Sequence, residues 1–178
     1  MTQMAMKIGA MKSEPRSGLT IALGAIYALL LTGVILFKFP FSYDETGGKR
    51  IVNLVPLMGS FSRDGVIRYD QIVENVLIFV PLGVYVCMVK GNWPFWKKTL
   101  LIVGVTVAFE IIQYAFAIGR ADTTDVLTNA LGGIVGIGFY ALLAKVLRNR
   151  TNRVINIAAL ILTVFVLLYS AFLLSRSR

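Results

Sequence analysis

The chain has 178 residues, 57% hydrophobic and 15% charged, with a formal net charge of +9. A soluble domain carries roughly 25% charged and 45–50% apolar residues, and a chain this short cannot enclose such an apolar excess in one water-facing core. It contains no histidine and one cysteine, Cys87, which excludes imidazole acid–base chemistry, imidazole zinc sites and an intrachain disulfide.

A helix needs about 20 apolar residues to cross a bilayer. Five runs approach that length: 19–37, 72–89, 100–118, 126–144 and 154–174. The strand alternation of a membrane barrel is missing, and an isolated spanning segment satisfies its own backbone only as a helix. The expected fold is all-α: a polytopic membrane helical bundle of about five transmembrane helices, one domain over residues 1–178. The first run is 19 residues long and no small-residue cleavage site follows at Lys38-Phe39-Pro40, so it is expected to stay as a helix. The connection 40–71 is long. Its apolar stretch 51–58, interrupted by Pro56 and closed by Gly59, is too short to span and predicts an interfacial or re-entrant segment in the first outer loop.

Pro81 is expected to kink the second helix and to free a carbonyl near Leu77. Cys87 reads as a small hydrophobe. Gly132, Gly133, Gly136 and Gly138 fall inside the fourth helix, and Gly132-x-x-x-Gly136 is the small-residue packing pattern of membrane helices. No Lys-Ser or Lys-Thr follows, so a phosphate-cradling loop is set aside.

Basic residues orient the bundle. With the N-terminus inside, Lys7, Lys12 and Arg16 precede the first helix. The two short inner connections then hold Lys90, Lys97, Lys98, Lys145, Arg148, Arg150 and Arg153, and the short outer one holds Arg120. Lys38, Lys49, Arg50, Arg63 and Arg68 fall in the long outer loop, where the rule weighs less. Arg176 and Arg178 end the chain outside. The chain is therefore expected to lie in the bacterial cytoplasmic membrane as a multi-pass protein, N-terminus inside and C-terminus outside. Trp93, Phe95 and Trp96 beside Lys97 and Lys98 fit an inner interfacial anchor. Glu14 is the one inner acid, and the other eight carboxylates fall outside. The +9 is then an inner-surface signature that needs no nucleic acid.

An ionisable residue in a membrane helix normally faces the bundle interior and has a partner. Glu110 lies roughly 12 Å below the outer end of the third run, with Gln113 three residues on. The turn Gly119-Arg120-Ala121-Asp122-Thr123-Thr124-Asp125 follows, and Asn129 sits four residues after Asp125. Glu74 and Asn75 open the second helix. These residues are expected to converge on one outward-facing pocket. Two carboxylates in different environments divide acid and base roles, so Glu110 and Asp125 form the candidate catalytic pair. Arg120 would hold a phosphate or carboxylate, with Asn75, Gln113, Asn129 and Asp122 as further ligand-binding residues. The plainer reading makes Asp122, Thr123 and Asp125 helix-start residues, Glu110 a register-fixing group, and Gln113 and Asn129 interhelical glue. A hard divalent cation on Asp122, Asp125 and Glu110 is a further alternative. No cofactor and no resident metal are expected.

Asn75-Val76-Leu77-Ile78-Phe79-Val80-Pro81-Leu82-Gly83 resembles the N-x-x-x-F-x-P-x-G segment of VanZ-like membrane proteins. Glu110-Ile111-Ile112-Gln113, Gly119-Arg120, Asp125, Asn129 and Gly132-Gly133 with Gly136 match a second block, and Asn53-Leu54-Val55-Pro56 the N-x-x-P element upstream. The resemblance covers about residues 53–140. Glu74 departs from it, standing where a neutral residue is more usual. The resemblance implies an association with reduced susceptibility to glycopeptide antibiotics of the teicoplanin type. Joined to the pocket, it implies a protein that binds or modifies a lipid-linked envelope component. Its partners would be membrane lipids and a lipid-linked cell-wall precursor or the antibiotic itself. A small lipid or solute transporter or scramblase, and a non-catalytic structural membrane subunit, are the alternatives. Enzymatic and binding readings both stay open at this point.

Overall fold

The described residues of this computed structural model are 17–37, 51–56, 69–117 and 120–176. Of the positions discussed above, Lys7, Lys12, Glu14, Arg16, Lys38, Phe39, Pro40, Lys49, Arg50, Met58, Gly59, Arg63, Arg68, Ile118, Gly119 and Arg178 lie outside them.

Among the described residues five helices follow one another: α1 (Gly18–Phe37), α2 (Tyr69–Val89), α3 (Phe95–Phe116), α4 (Thr123–Leu147) and α5 (Thr151–Arg176). Four of them cover an apolar run, α3 covers all but the last two residues of its own, and the fold is all-α. Most helices begin several residues before their run, on polar or turn residues. Asp70 lies in the first turn of α2, where a carboxylate complements the helix dipole. Pro94, in extended conformation, precedes α3. That helix ends two residues before its run because Ala117 takes the left-handed conformation at φ 53. The Ala117 N–H closes onto the carbonyls of Gln113 and Tyr114, satisfying orphan acceptors of the last turn.

Two three-residue strands add to the helices. β1 (Ile51–Asn53) and β2 (Arg120–Asp122) pair in parallel, with Ile51 opposite Arg120 and Asn53 opposite Asp122. Parallel strands need a long crossover, and the α2–α3 hairpin supplies it. The start of the segment expected as interfacial or re-entrant is thus a strand laid against the α3–α4 connection.

Among the described residues four stretches are long and apolar enough to cross a membrane: Gly18–Leu36, Tyr69–Val89, Phe95–Phe116 and Thr123–Tyr169. The last contains 47 residues and both α4 and α5, joined through a 3-10 turn at Arg148–Arg150. Arg148 has φ 48. The Tyr140 hydroxyl donates to Asn152 Oδ1 at 3.0 Å. Twelve residues along one straight helix would separate them by about 18 Å, so the chain bends sharply here.

The centre of the bundle is a parallel contact between α2 and α4. A Cβ on Gly136 would lie 2.0 Å from the Val80 carbonyl oxygen, and one on Gly132 2.2 Å from that of Val76. In the other direction, a Cβ on Gly83 would lie 2.0 Å from the Gly133 carbonyl oxygen. The two backbones touch with no side chain between them, as the small-residue spacing predicts. Gly138 is the exception, with open space around it. α3 lies alongside and packs Ile102 onto Gly133 and Phe109 edge-on against Phe79, ring centres 6.5 Å apart. α1 adds Leu31 and Ile35 to this core. Its Tyr27 stacks on Tyr85 and donates its hydroxyl to the Ile78 carbonyl at 2.7 Å. α2 runs unbroken through Pro81. The carbonyl that gains an outside donor is Ile78, one residue along from the expected Leu77.

Among the described residues eleven buried side chains are polar or charged and twelve are apolar. Leu77, Ile111, Leu131 and Val146 are more than half exposed. Lipid is as apolar as these side chains, so nothing drives them inward, and the interior collects the polar groups instead. Gly136→Ala should lower stability by about 3 kcal/mol, because the helices must separate to admit a methyl group. Gly138→Ala should raise it by up to ~1 kcal/mol through helix propensity alone. Unfolding of the purified protein in mixed micelles measures both.

Candidate functional site

The end of the bundle where α2 and α4 begin is organised by Asp122. This residue closes β2 in extended conformation (φ −128, ψ 124) and serves as the N-cap of α4. Its Oδ1 accepts the Thr124 N–H at 2.8 Å, satisfying one of the orphan amides of the helix start. Its Oδ2 accepts the Asn53 side-chain amide at 3.0 Å. Its own N–H donates to Glu110 Oε2 at 2.8 Å. One residue therefore joins the strand pair, the fourth helix and a carboxylate six residues inside α3. Glu110 is 8% exposed and Asp122 7%; hydrogen bonds to charged groups contribute roughly 1.5–3 kcal/mol each.

Asn53 uses both ends of its amide. Its Oδ1 accepts the Val55 N–H at 3.2 Å, forming a local turn, and its main-chain carbonyl accepts the Thr123 hydroxyl at 3.1 Å. A second Asn–Asp pair lies between the helices: Asn75 donates from Nδ2 to Asp125 Oδ1 at 2.7 Å and to Thr128 Oγ1 at 3.3 Å. Thr128 in turn donates back to the carbonyls of Thr124 and Asp125.

Glu110, Asp122, Asp125 and Asn75 therefore gather at one end of the bundle. Arg120 is described by its backbone, as the first residue of β2. Glu74 is exposed beside Asn75. Gln113 turns instead to α1, where its Nε2 donates to the Ile35 carbonyl at 2.9 Å. Asn129 lies deeper, its Nδ2 donating to Thr106 Oγ1 at 2.9 Å. Gln113 Oε1 and Asn129 Oδ1 are buried and accept no hydrogen bond among the described residues. Asp122 is a helix cap, as the plainer reading holds. Among the described residues, no three His, Cys, Asp or Glu side chains are grouped to hold a metal. The three carboxylates are each engaged, Asp122 by an amide on either oxygen, Asp125 by Asn75 and Glu110 by a main-chain N–H.

The network also includes Thr106, Thr124 and Thr128, which the sequence reading does not single out as site residues. Helical spacing carries a signal for two of them, since Thr106 stands four residues before Glu110 and Thr128 three after Asp125. Asn53 is visible only through its N-x-x-P element, because its partner lies 69 residues away.

A family model described as VanZ/LLP1 matches residues 24–148. The chain belongs to the VanZ/LLP1 family. It is 33% identical over 148 residues to a curated protein described as Protein VanZ from Enterococcus faecium, a match covering 82% of this chain and 88% of that one. No solved structure matches it significantly. The chain is a membrane protein, by its apolar helices and by this family. The VanZ/LLP1 match takes in most of α1 and all of α2, α3 and α4, with every bond of the network, and ends at Arg148 where α4 breaks.

Asp122→Ala removes the cap and leaves the Asn53 amide without its acceptor, and should cost about 2 kcal/mol. Asp122→Asn keeps a capping oxygen and should fall between. Thermal unfolding in detergent should rank wild type above Asp122→Asn above Asp122→Ala.

Proposed function

We propose that this VanZ/LLP1 protein lies in the bacterial cytoplasmic membrane and lowers susceptibility to teicoplanin-type glycopeptides. The bundle end carrying Glu110, Asp122 and Asp125 faces outward in this reading, and binds or modifies a lipid-linked envelope component. The observation that carries it is the placement of the acids. Glu110 sits about 9 Å inside the end of α3, buried and tied to Asp122, at the same end as Asp125 and Asn75. A carboxylate at that depth is costly and is a functional-site hypothesis by default.

Glu110 and Asp125 divide the acid and base roles if a bond is made or broken. Arg120, two residues before Asp122, supplies the charge for a phosphate or carboxylate group. Asn75 and Asp122 hold the carboxylates in place. Gln113 and Asn129 offer their unpaired oxygens to donors of the ligand deeper in the bundle.

The reading fixes a topology. A 47-residue helix would run about 70 Å, against a hydrocarbon core of about 30 Å. The break at Arg148 divides it, so the single membrane domain crosses five times, with N-terminus inside and C-terminus outside. β1 and β2 then lie on the outer face.

Glu110→Gln and Asp125→Asn keep an acceptor oxygen for their present partners but lose the charge; Arg120→Ala removes the cation. Each should lose most of the protection against teicoplanin at matched membrane abundance. Wild-type susceptibility in all three sinks the proposal. In a Cys87→Ala background, Ala121→Cys should react with an impermeant maleimide added outside, and Asn92→Cys should not. The reverse pattern would invert the bundle.

A further inference from the structure

Among the described residues every acid lies at one end of the bundle, with Arg120 and Arg176, and the other basic residues collect at the opposite end. The five carboxylates among the described residues, Asp70, Glu74, Glu110, Asp122 and Asp125, all lie where α2 and α4 begin or beside it. Lys90, Lys97, Lys98, Lys145, Arg148, Arg150 and Arg153 lie at the other end, in or beside the α2–α3 and α4–α5 turns. The two turns sit at one level. Val80 meets Gly136 and Gly83 meets Ile137 in the parallel contact, and the same offset brings Lys90 to the height of Lys145. Asp70 and Lys90 are separated by twenty residues of helix, about 30 Å. Even Glu110, the described acid nearest along a helix, stands twelve residues or about 18 Å from Lys98, so no described acid forms an ion pair with this cationic face.

Aromatic and apolar groups are set among the charges. Lys90 Nζ sits 4.8 Å from the ring centre of Trp93 and Lys97 Nζ 5.3 Å from that of Trp96. Lys98 donates to the Gly91 carbonyl. Phe95, Trp96 and Val146 are 57%, 60% and 69% exposed. A nucleic acid or an acidic soluble protein would meet the charges but leave these apolar groups in water. A phosphodiester headgroup with acyl chains meets both at once.

We infer that this face is a binding surface for anionic phospholipid, retaining it at the α2–α3 and α4–α5 turns in preference to zwitterionic lipid. The inference does not depend on the outward site or on the antibiotic.

Both tryptophans of the chain, Trp93 and Trp96, lie in this face, so intrinsic fluorescence reports on it directly. The full chain is reconstituted in phosphatidylcholine bilayers containing a fixed fraction of brominated phosphatidylglycerol, or the same fraction of phosphatidylcholine brominated at the same acyl positions. Matched bromine positions cancel the effect of depth. Quenching by the anionic lipid should correspond to a relative association about threefold or more above that of the zwitterionic lipid, and should shrink toward equality at roughly 0.5 M salt. Lys145→Gln/Arg148→Gln/Arg150→Gln/Arg153→Gln alters four exposed side chains and should at least halve the excess. Equal quenching in the wild type overturns the inference. So does an excess that neither salt nor the fourfold variant reduces.

Discussion

The contact on which the rest of this structure depends is one without side chains. Val76, Val80 and Gly133 present carbonyl oxygens where a Cβ on Gly132, Gly136 or Gly83 would sit. In lipid no solvent pushes helices together, so close backbone packing is the main attraction left. It is also directional. It sets α2 and α4 parallel at a fixed height, which brings Asn75 within reach of Asp125 and Thr128. The polar network is therefore a product of apolar packing geometry, and a shift of one turn along α2 would separate both partners.

The second constraint is the cost of a carboxylate at membrane depth, roughly 2.5–3.5 kcal/mol for Asp at a helix centre. Here none of the three buried acids stands alone. Glu110 accepts a main-chain N–H, Asp122 accepts two amides and Asp125 accepts Asn75. Two of these donors, the Asn53 amide and the Asp122 N–H, come from the strands, which hold their geometry only while β1 pairs with β2. The small sheet thus belongs to the site as much as to the fold. It carries Asn53 to Asp122, and its second strand runs straight into α4.

The helices were legible because their signal is composition, which survives any tertiary arrangement. The glycine packing was legible because spacing on one helix is local, though spacing alone did not exclude Gly138 from the contact. The end of α3 was not legible: nothing in Ala117 announces a left-handed conformation. Nor was the strand pair, since three residues matched to three others 69 positions later carry no periodic trace. The polar network was read in outline. Glu110, Asp122 and Asp125 were marked by their cost in a membrane, and Asn75 by its motif. Gln113 was grouped with Glu110 by helical spacing, yet its partner is a main-chain carbonyl of α1, which no side-chain pattern reveals.

The order of the chain gives the parallel strand–helix pairing a kinetic meaning. β1 and α2 are made first, and the groups that satisfy Asn53, Asn75, Thr106 and Glu110 all arrive later, on β2 and α4. α3 must therefore enter the bilayer with its acid still lacking the Asp122 amide. Insertion of α4 is the step that seats its glycines on α2 and completes the polar network in the same movement. Assembly of this membrane core is thus all or none at its final stage: a nascent chain stopped before α4 has neither its central helix contact nor its site.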